Sequence, residues 1–243
     1  AVMALQNSEP FPSVEPHGDL TQIIDDVWYL PGSVAFKPLL RLPRNMVVIR
    51  HQGELTLVNS VRLDDAGEKA LEALGKVSHI MKIGFHGMDD AYYLDRYDAR
   101  HWVVDRNSTD NNNDDIGKLD EGVELPFPDA RLFAFKDTIN PEVCILIERD
   151  GGLLITCDCV QHWVPSNLMS PVAKVMTRLI GFQKPAQIGP PWKKMQTPPN
   201  KSLRADFDRL AALPFERIIG GHGGLLESKG AEFLKATIQR ELA

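Results

Sequence analysis

The segment Gly220-Gly221-His222-Gly223-Gly224 sets one histidine between two pairs of glycines. Glycine lets a backbone pass close to a ligand and adopt positive φ, and histidine is the commonest nitrogen ligand for metals. A second candidate is His86-Gly87-Met88-Asp89-Asp90. Adjacent carboxylates repel each other unless a cation or hydrogen-bond donors compensate. A bound divalent metal meets that need, and so does capping of a following helix. The third candidate, Asp158, ends the apolar run Leu153-Leu154-Ile155-Thr156-Cys157. A carboxylate buried there needs a partner; the alternative is a turn or cap aspartate. Cys157 and Cys159 are thiolate ligands or small buried hydrophobes. His162 follows Asp158 by four residues, so the two share a face only if a helix begins there. His162 and His101, each beside a tryptophan, otherwise read as structural, and His17, His51 and His79 join no constellation.

Each of the three main candidates follows a short apolar strand, and a sheet edge holds loop residues at fixed separations. Strands are expected over residues 23–30, 45–51 and 55–58, the last two joined by a turn at Gly53-Glu54. An amphipathic helix is expected over 64–74, stopped by Gly75. A strand over 79–83 leads into the His86 loop, and a helix over 92–97 follows with Asp89 or Asp90 as its cap. After a polar loop over 107–121, strands are expected at 131–135, 143–148 and 153–156, the last two joined at Asp150-Gly151-Gly152. Residues 168–181 read as an apolar helix and 184–199 as a proline-dense stretch. A helix over 203–213, a strand over 217–219 and a helix over 228–242 complete the chain. The doubled order of strands then helices implies one domain over 1–243, with two sheets packed together and helices outside. Residues 1–20 read as an N-terminal arm, and 160–200 as an inserted lid or interface segment.

Composition narrows the function classes. Hydrophobic content of 43% supports a substantial core, and a net charge of −6 argues against nucleic acid as partner. No apolar run reaches the roughly 20 residues needed to span a bilayer, so no membrane partner is expected. Three cysteines cannot all pair, which fits a reducing, cytoplasmic setting.

The order of these landmarks resembles the metallo-β-lactamase superfamily over about residues 22–240. The resemblance implies an α+β fold, the αββα sandwich. That family carries His-x-His-x-Asp-His after an early strand. Aligning its Asp-His on Asp89-Asp90 puts Phe85 and Gly87 where two histidines belong, with His86 one residue out of register. Ile139 falls where a further histidine belongs. The three-histidine site is therefore expected to be lost. Asp89, Asp158 and His222 match retained family positions, and Asp90 replaces the remaining histidine. The loop, followed by Tyr92-Tyr93, is similar to that of a divergent branch of the superfamily.

The resemblance implies a metal site of Asp89, Asp90, Asp158 and His222 holding one divalent ion, Zn²⁺, Mn²⁺ or Fe²⁺. Asp89 is its catalytic proton acceptor. Such an ion lowers the pKa of bound water to about 7. The expected activity is hydrolysis of an ester, thioester or phosphoester bond in an unidentified small molecule. Three carboxylates would dull the ion's Lewis acidity, so the alternative is a non-catalytic binding or scaffold protein with no metal. The apolar 168–181 segment also allows a homodimer.

Overall fold

The structure, a computed structural model, describes residues 10–104, 116–182 and 184–243; positions 107–115 of the expected polar loop lie outside these. The first half is an antiparallel meander of β1 (Thr21–Ile24), β2 (Val27–Lys37), β3 (Leu40–His51) and β4 (Glu54–Val58). Helix α1 (Asp65–Leu74) leads to β5 (Lys76–Lys82), and α2 (Asp90–Tyr97) leads to β6 (Arg100–Val103) and β7 (Ile116–Lys118). These seven strands pair in chain order, the last three running parallel to their neighbours.

The second half begins with β8 (Ala130–Ala134), β9 (Val143–Ile147) and β10 (Leu153–Ile155). The pair β11 (Val160–Gln161) and β12 (Gln187–Ile188) brackets α3 (Pro171–Leu179). Then come α4 (Pro190–Gln196), α5 (Arg204–Ala211), β13 (Arg217–Ile219), β14 (Leu225–Leu226) and α6 (Gly230–Glu241). The second sheet has the order β14-β13-β10-β9-β8.

Alternating side-chain direction along each strand explains how the layers assemble. On β9, Val143, Ile145 and Ile147 enter the core between the sheets, while Cys144 and Leu146 enter the core beneath the outer helices. On β3, Val47 and Ile49 face the other sheet, while Met46 and Val48 face outward. Leu71 of α1 and Tyr93 of α2 cover that outward face of the first sheet. Trp192, Phe207, Leu210, Leu234 and Ile238 cover the outer face of the second. Fully apolar strands such as β9 thus serve two cores at once, and the result is the expected αββα sandwich.

The strands β2 and β3 extend well beyond the expected 23–30 and 45–51, as one long hairpin. Pro31, Pro38 and Pro43 mask it in the sequence, since proline normally argues against a strand interior. Here Pro31 stands opposite Asn45, and Pro43 opposite Ser33, without breaking the pairing. Residues 10–20 are tied to the sheet: Ser33 Oγ donates to the Pro16 carbonyl, and Arg62 donates to the Pro12 carbonyl. Helix α4 opens with Pro190 and Pro191 in its first turn, where the missing N–H costs nothing.

The turn before β10 rests on Gly152, at φ +86°, where an added Cβ would lie 2.1 Å from the Pro214 carbonyl oxygen. Gly152→Ala is expected to cost roughly 2–5 kcal/mol, combining left-handed strain with the clash. Urea denaturation measures this, and a loss below about 1 kcal/mol would show that the turn relaxes freely.

Candidate metal site

The parallel register of β10 and β13 sets the geometry. Ile155 pairs with Ile219, so Asp158 and His222 each lie three residues past paired positions. The two loops are joined where the Gly221 amide donates to the Cys157 carbonyl at 2.7 Å. The opposite sheet holds them from the other side. Asn45 Nδ2 donates to the Gly220 and Gly223 carbonyls, and Asn59 Nδ2 donates to the Thr156 carbonyl.

His86 arrives from the loop after β5 and completes a cluster with Asp158 and His222. One ligand atom from each lies within 4.8 Å of the other two. Asp158 Oδ1 is 2.9 Å from His86 Nε2 and 3.4 Å from His222 Nε2. The two imidazoles meet edge to face, with ring centroids 4.5 Å apart. Gly221 is required here, because a Cβ would lie 2.9 Å from the His86 ring.

The electrostatics favour a cation. His222 Nδ1 lies 2.6 Å from the Pro43 carbonyl oxygen. A carbonyl only accepts, so Nδ1 carries the proton and Nε2 presents its lone pair to the cluster. Burial, together with His86, pushes the His222 pKa down to about 4, so the ring is neutral at neutral pH. Burial alone would raise the Asp158 carboxyl, but the hydrogen bonding and charge of His86 bring it below its ordinary value. Asp158 Oδ1 is nevertheless buried without a hydrogen bond of acceptable geometry. An ionised oxygen and an imidazole lone pair facing each other this closely repel, unless positive charge stands between them.

Beside the cluster lies a buried carboxyl, Glu142. Burial and the negative charge of Asp158 raise its pKa to about 8. The Trp192 indole, the Asp158 amide and the Cys157 thiol are turned towards it and restrain that rise. Neither carboxyl oxygen receives a hydrogen bond of good geometry. Glu142 is therefore protonated and uncharged at neutral pH. Gly84 makes room for it, since a Cβ there would meet Glu142 Oε1.

The other expected ligands have different partners. Asp89 is completely buried, and its Oδ2 accepts from the Arg62 amide and pairs with Arg44, each at 2.8 Å. Asp90 Oδ1 accepts from Ser60 Oγ at 2.5 Å, and its Oδ2 lies 3.7 Å from His101 Nε2. Neither joins the cluster of potential metal ligands among the described residues. Of the four expected ligands, Asp158 and His222 are thus brought together with His86, while Asp89 pairs with the Arg44 guanidinium and Asp90 with the Ser60 hydroxyl. Asp89, the expected proton acceptor, has its charge paired with Arg44. Cys157 and Cys159 are fully buried, and burial pushes both thiols well up, so they stay neutral. Cys159 Sγ lies 3.6 Å from Cys144 Sγ. His162 bridges to Gly223 through the backbone, and no helix links it to Asp158.

The cluster opens on a cavity of about 340 Å³ lined largely by apolar side chains, among them Leu42, Trp163, Phe182 and Trp192. Trp163 stacks on His222 with ring centroids 5.9 Å apart. No Lys or Arg lines this cavity among the described residues. A smaller cavity of about 170 Å³, lined by Arg44, Ser60 and Met88, reaches His86 and His222 from another side.

No family model matches the chain, and neither does any curated protein. Solved structures do match it. VMB-1 aligns with TM-score 0.62 and 9% identity, covering 95% of this chain and all of that one. The metallo-β-lactamase FIM-1 from Pseudomonas aeruginosa, in its mono-zinc form, aligns with TM-score 0.58 and 11% identity, over 94% of this chain and 97% of that one. A metallo-β-lactamase from Pontibacter korlensis aligns with TM-score 0.58 and 12% identity, over 92% and 99%.

Proposed function

Starting from the metallo-β-lactamase fold that this chain has, we propose that it is a mononuclear metal-dependent hydrolase whose ligands are His86, Asp158 and His222. The supporting observation is the convergence of three donor atoms: Asp158 Oδ1 lies 2.9 Å from His86 Nε2 and 3.4 Å from His222 Nε2, and one ligand atom from each residue lies within 4.8 Å of the others. Two nitrogens and one oxygen suit Zn²⁺ better than the oxygen-rich set expected from sequence. A bound divalent ion would supply Lewis acidity and a hydroxide nucleophile near neutral pH.

The protein's own groups divide the remaining work. The Pro43 carbonyl fixes the His222 tautomer, as outer-shell acceptors do in metal sites. Trp163 and Phe182 exclude water from the cavity beside the cluster. Apolar walls without a cation favour an uncharged ester, thioester or phosphotriester with an apolar arm, because an anionic arm would be desolvated without a partner. Neutral Glu142 keeps a second negative charge away from Asp158. The segment 160–200 forms much of the cavity wall, which fits the role of a lid.

Isothermal titration with Zn²⁺ tests the ligand set. The wild type is expected to bind one equivalent, and His222→Ala and Asp158→Ala each to weaken binding by 100-fold or more, beyond the 10–100-fold typical of outer-shell changes. Asp90→Asn is expected to leave Zn²⁺ affinity within about threefold of wild type, an upper bound below that range. Chromogenic esters, thioesters and phosphoesters assayed with Zn²⁺, Mn²⁺ or Fe²⁺ then read the activity. Turnover that survives both chelation and Asp158→Ala would rule out the metal mechanism.

A further inference from the structure

Helix α3 is built with its apolar side outward. Ala173 and Thr177 are its buried residues, four apart on one narrow stripe. Val172, Val175 and Leu179 are 51%, 60% and 80% exposed, and Ile180, next in the chain, is 53% exposed. A surface helix of a globular protein normally buries such a stripe. The tip of the β2–β3 hairpin adds Phe36 and Leu39, 67% and 76% exposed. The tip is fixed beside the helix by reciprocal bonds: the Ser170 amide donates to the Arg41 carbonyl, and the Arg41 amide donates to Ser170 Oγ. Phe36, Met176, Ile180 and Met195 share the wall of the cavity described above, and Met176 and Ile180 also line an apolar surface with Val172, Val175 and Leu179, so the exposed face of α3 runs on into the cavity rim. A connected apolar rim of this kind marks an interaction site.

Charge identifies what it meets. The chain as a whole carries −6, yet residues 159–203 contain Lys174, Arg178, Lys184, Lys193, Lys194 and Lys201 and no Asp or Glu. Lys174 and Arg178 alternate with the exposed apolar groups of α3, and Lys37 follows Phe36 on the hairpin. A two-fold contact with a second copy would press this cationic surface against itself. An apolar ridge interleaved with cations instead matches the boundary between headgroups and acyl chains of an anionic bilayer.

We propose that the α3 face and the β2–β3 tip dock on anionic lipid surfaces, inserting Leu39, Val175 and Leu179 and turning the cavity mouth towards the acyl layer. No helix of the described residues is long and apolar enough to cross a membrane. Surface docking needs only apolar area and charge. The docking stands on this surface alone and does not depend on the hydrolase reading.

Co-sedimentation of the full chain with vesicles tests it. Vesicles of equal parts phosphatidylcholine and phosphatidylglycerol should pull the protein down, pure phosphatidylcholine should do so far less, and high salt should release it. Each Lys or Arg at an anionic surface contributes about fivefold in affinity, so Lys174→Glu/Arg178→Glu should bind roughly 25-fold more weakly or worse. Leu39→Glu/Leu179→Glu, at highly exposed positions that do not line the cavity, should lose binding with an unchanged circular dichroism spectrum. Failure to bind anionic vesicles overturns the proposal, and so does binding that both double variants leave intact. A wild-type dimer in light scattering that Leu179→Glu converts to monomer overturns it in favour of a second copy. None of these measurements uses turnover, so a failed metal site and a failed docking surface are told apart.

Discussion

Arg44→Met is expected to destabilise the protein by about 3–5 kcal/mol, the usual cost of leaving a buried charge without its partner. Asp89 has no exposed surface, and Arg44, itself 6% exposed, places its guanidinium 2.8 Å from the carboxylate. Arg44 Nε is held by the Ser33 carbonyl, so the guanidinium is already positioned before pairing. Once Arg44 is gone, the carboxylate keeps the hydrogen bond from the Arg62 amide but loses its paired guanidinium. Adding Asp89→Asn to Arg44→Met removes the orphaned charge and should recover a large part of the loss, since the pair is strongly coupled. Urea denaturation of the two single variants and the double variant gives the coupling directly. Strictly additive losses would show that Arg44 and Asp89 do not stabilise each other.

Glu142→Gln should flatten the pH dependence of stability in metal-free protein. The carboxyl pKa rises from its ordinary 4.5 to about 8 in the fold. The folded state therefore holds this proton more tightly than the unfolded chain does. The contribution is fully present below pH 4.5 and is lost as pH rises through about 8. Between pH 5 and 8 the wild type should lose about 3 kcal/mol from this group alone, at 1.36 kcal/mol per pKa unit. His222 acts in the opposite direction: its depressed pKa of about 4 costs stability as pH falls from 6.5. The informative quantity is thus the difference between wild type and Glu142→Gln across the range, from urea midpoints with chelator present. Parallel curves for the two proteins would mean that Glu142 is ionised in the fold.

The legible parts of the fold were those with a strong period. The apolar runs of β3, β9 and β10 and the amphipathic spacing of α1 and α5 each have one structural solution. The long β2–β3 hairpin was hidden because local proline preference was outweighed by pairing along its length. Strands β6 and β7 are four and three residues long, too short for alternation to register. Asp158 and His222 stand out in the sequence because a carboxylate and a glycine-flanked histidine each end an apolar strand. Alignment to the spacing rule places His86 one position out of register. Yet Gly84 and Gly87 flank it much as glycines flank His222, and the same criterion would have selected it. Glu142 gives no comparable signal, since its burial depends on space left by Gly84 and on the indole of Trp192, both remote in sequence.

The amides of Asn45 and Asn59 hold loops that belong to the other sheet, and the Pro43 carbonyl sets the ring of His222. The unit of inheritance for this site is therefore the whole sandwich. Asp158 and His222 both lie in the second half of the chain, and a recombination event could carry them off together with their parallel strands intact. It would leave behind His86, the crossbars and the carbonyl that decides which nitrogen is bare. Exchange of halves with a distant relative should thus preserve a sheet far more readily than a site.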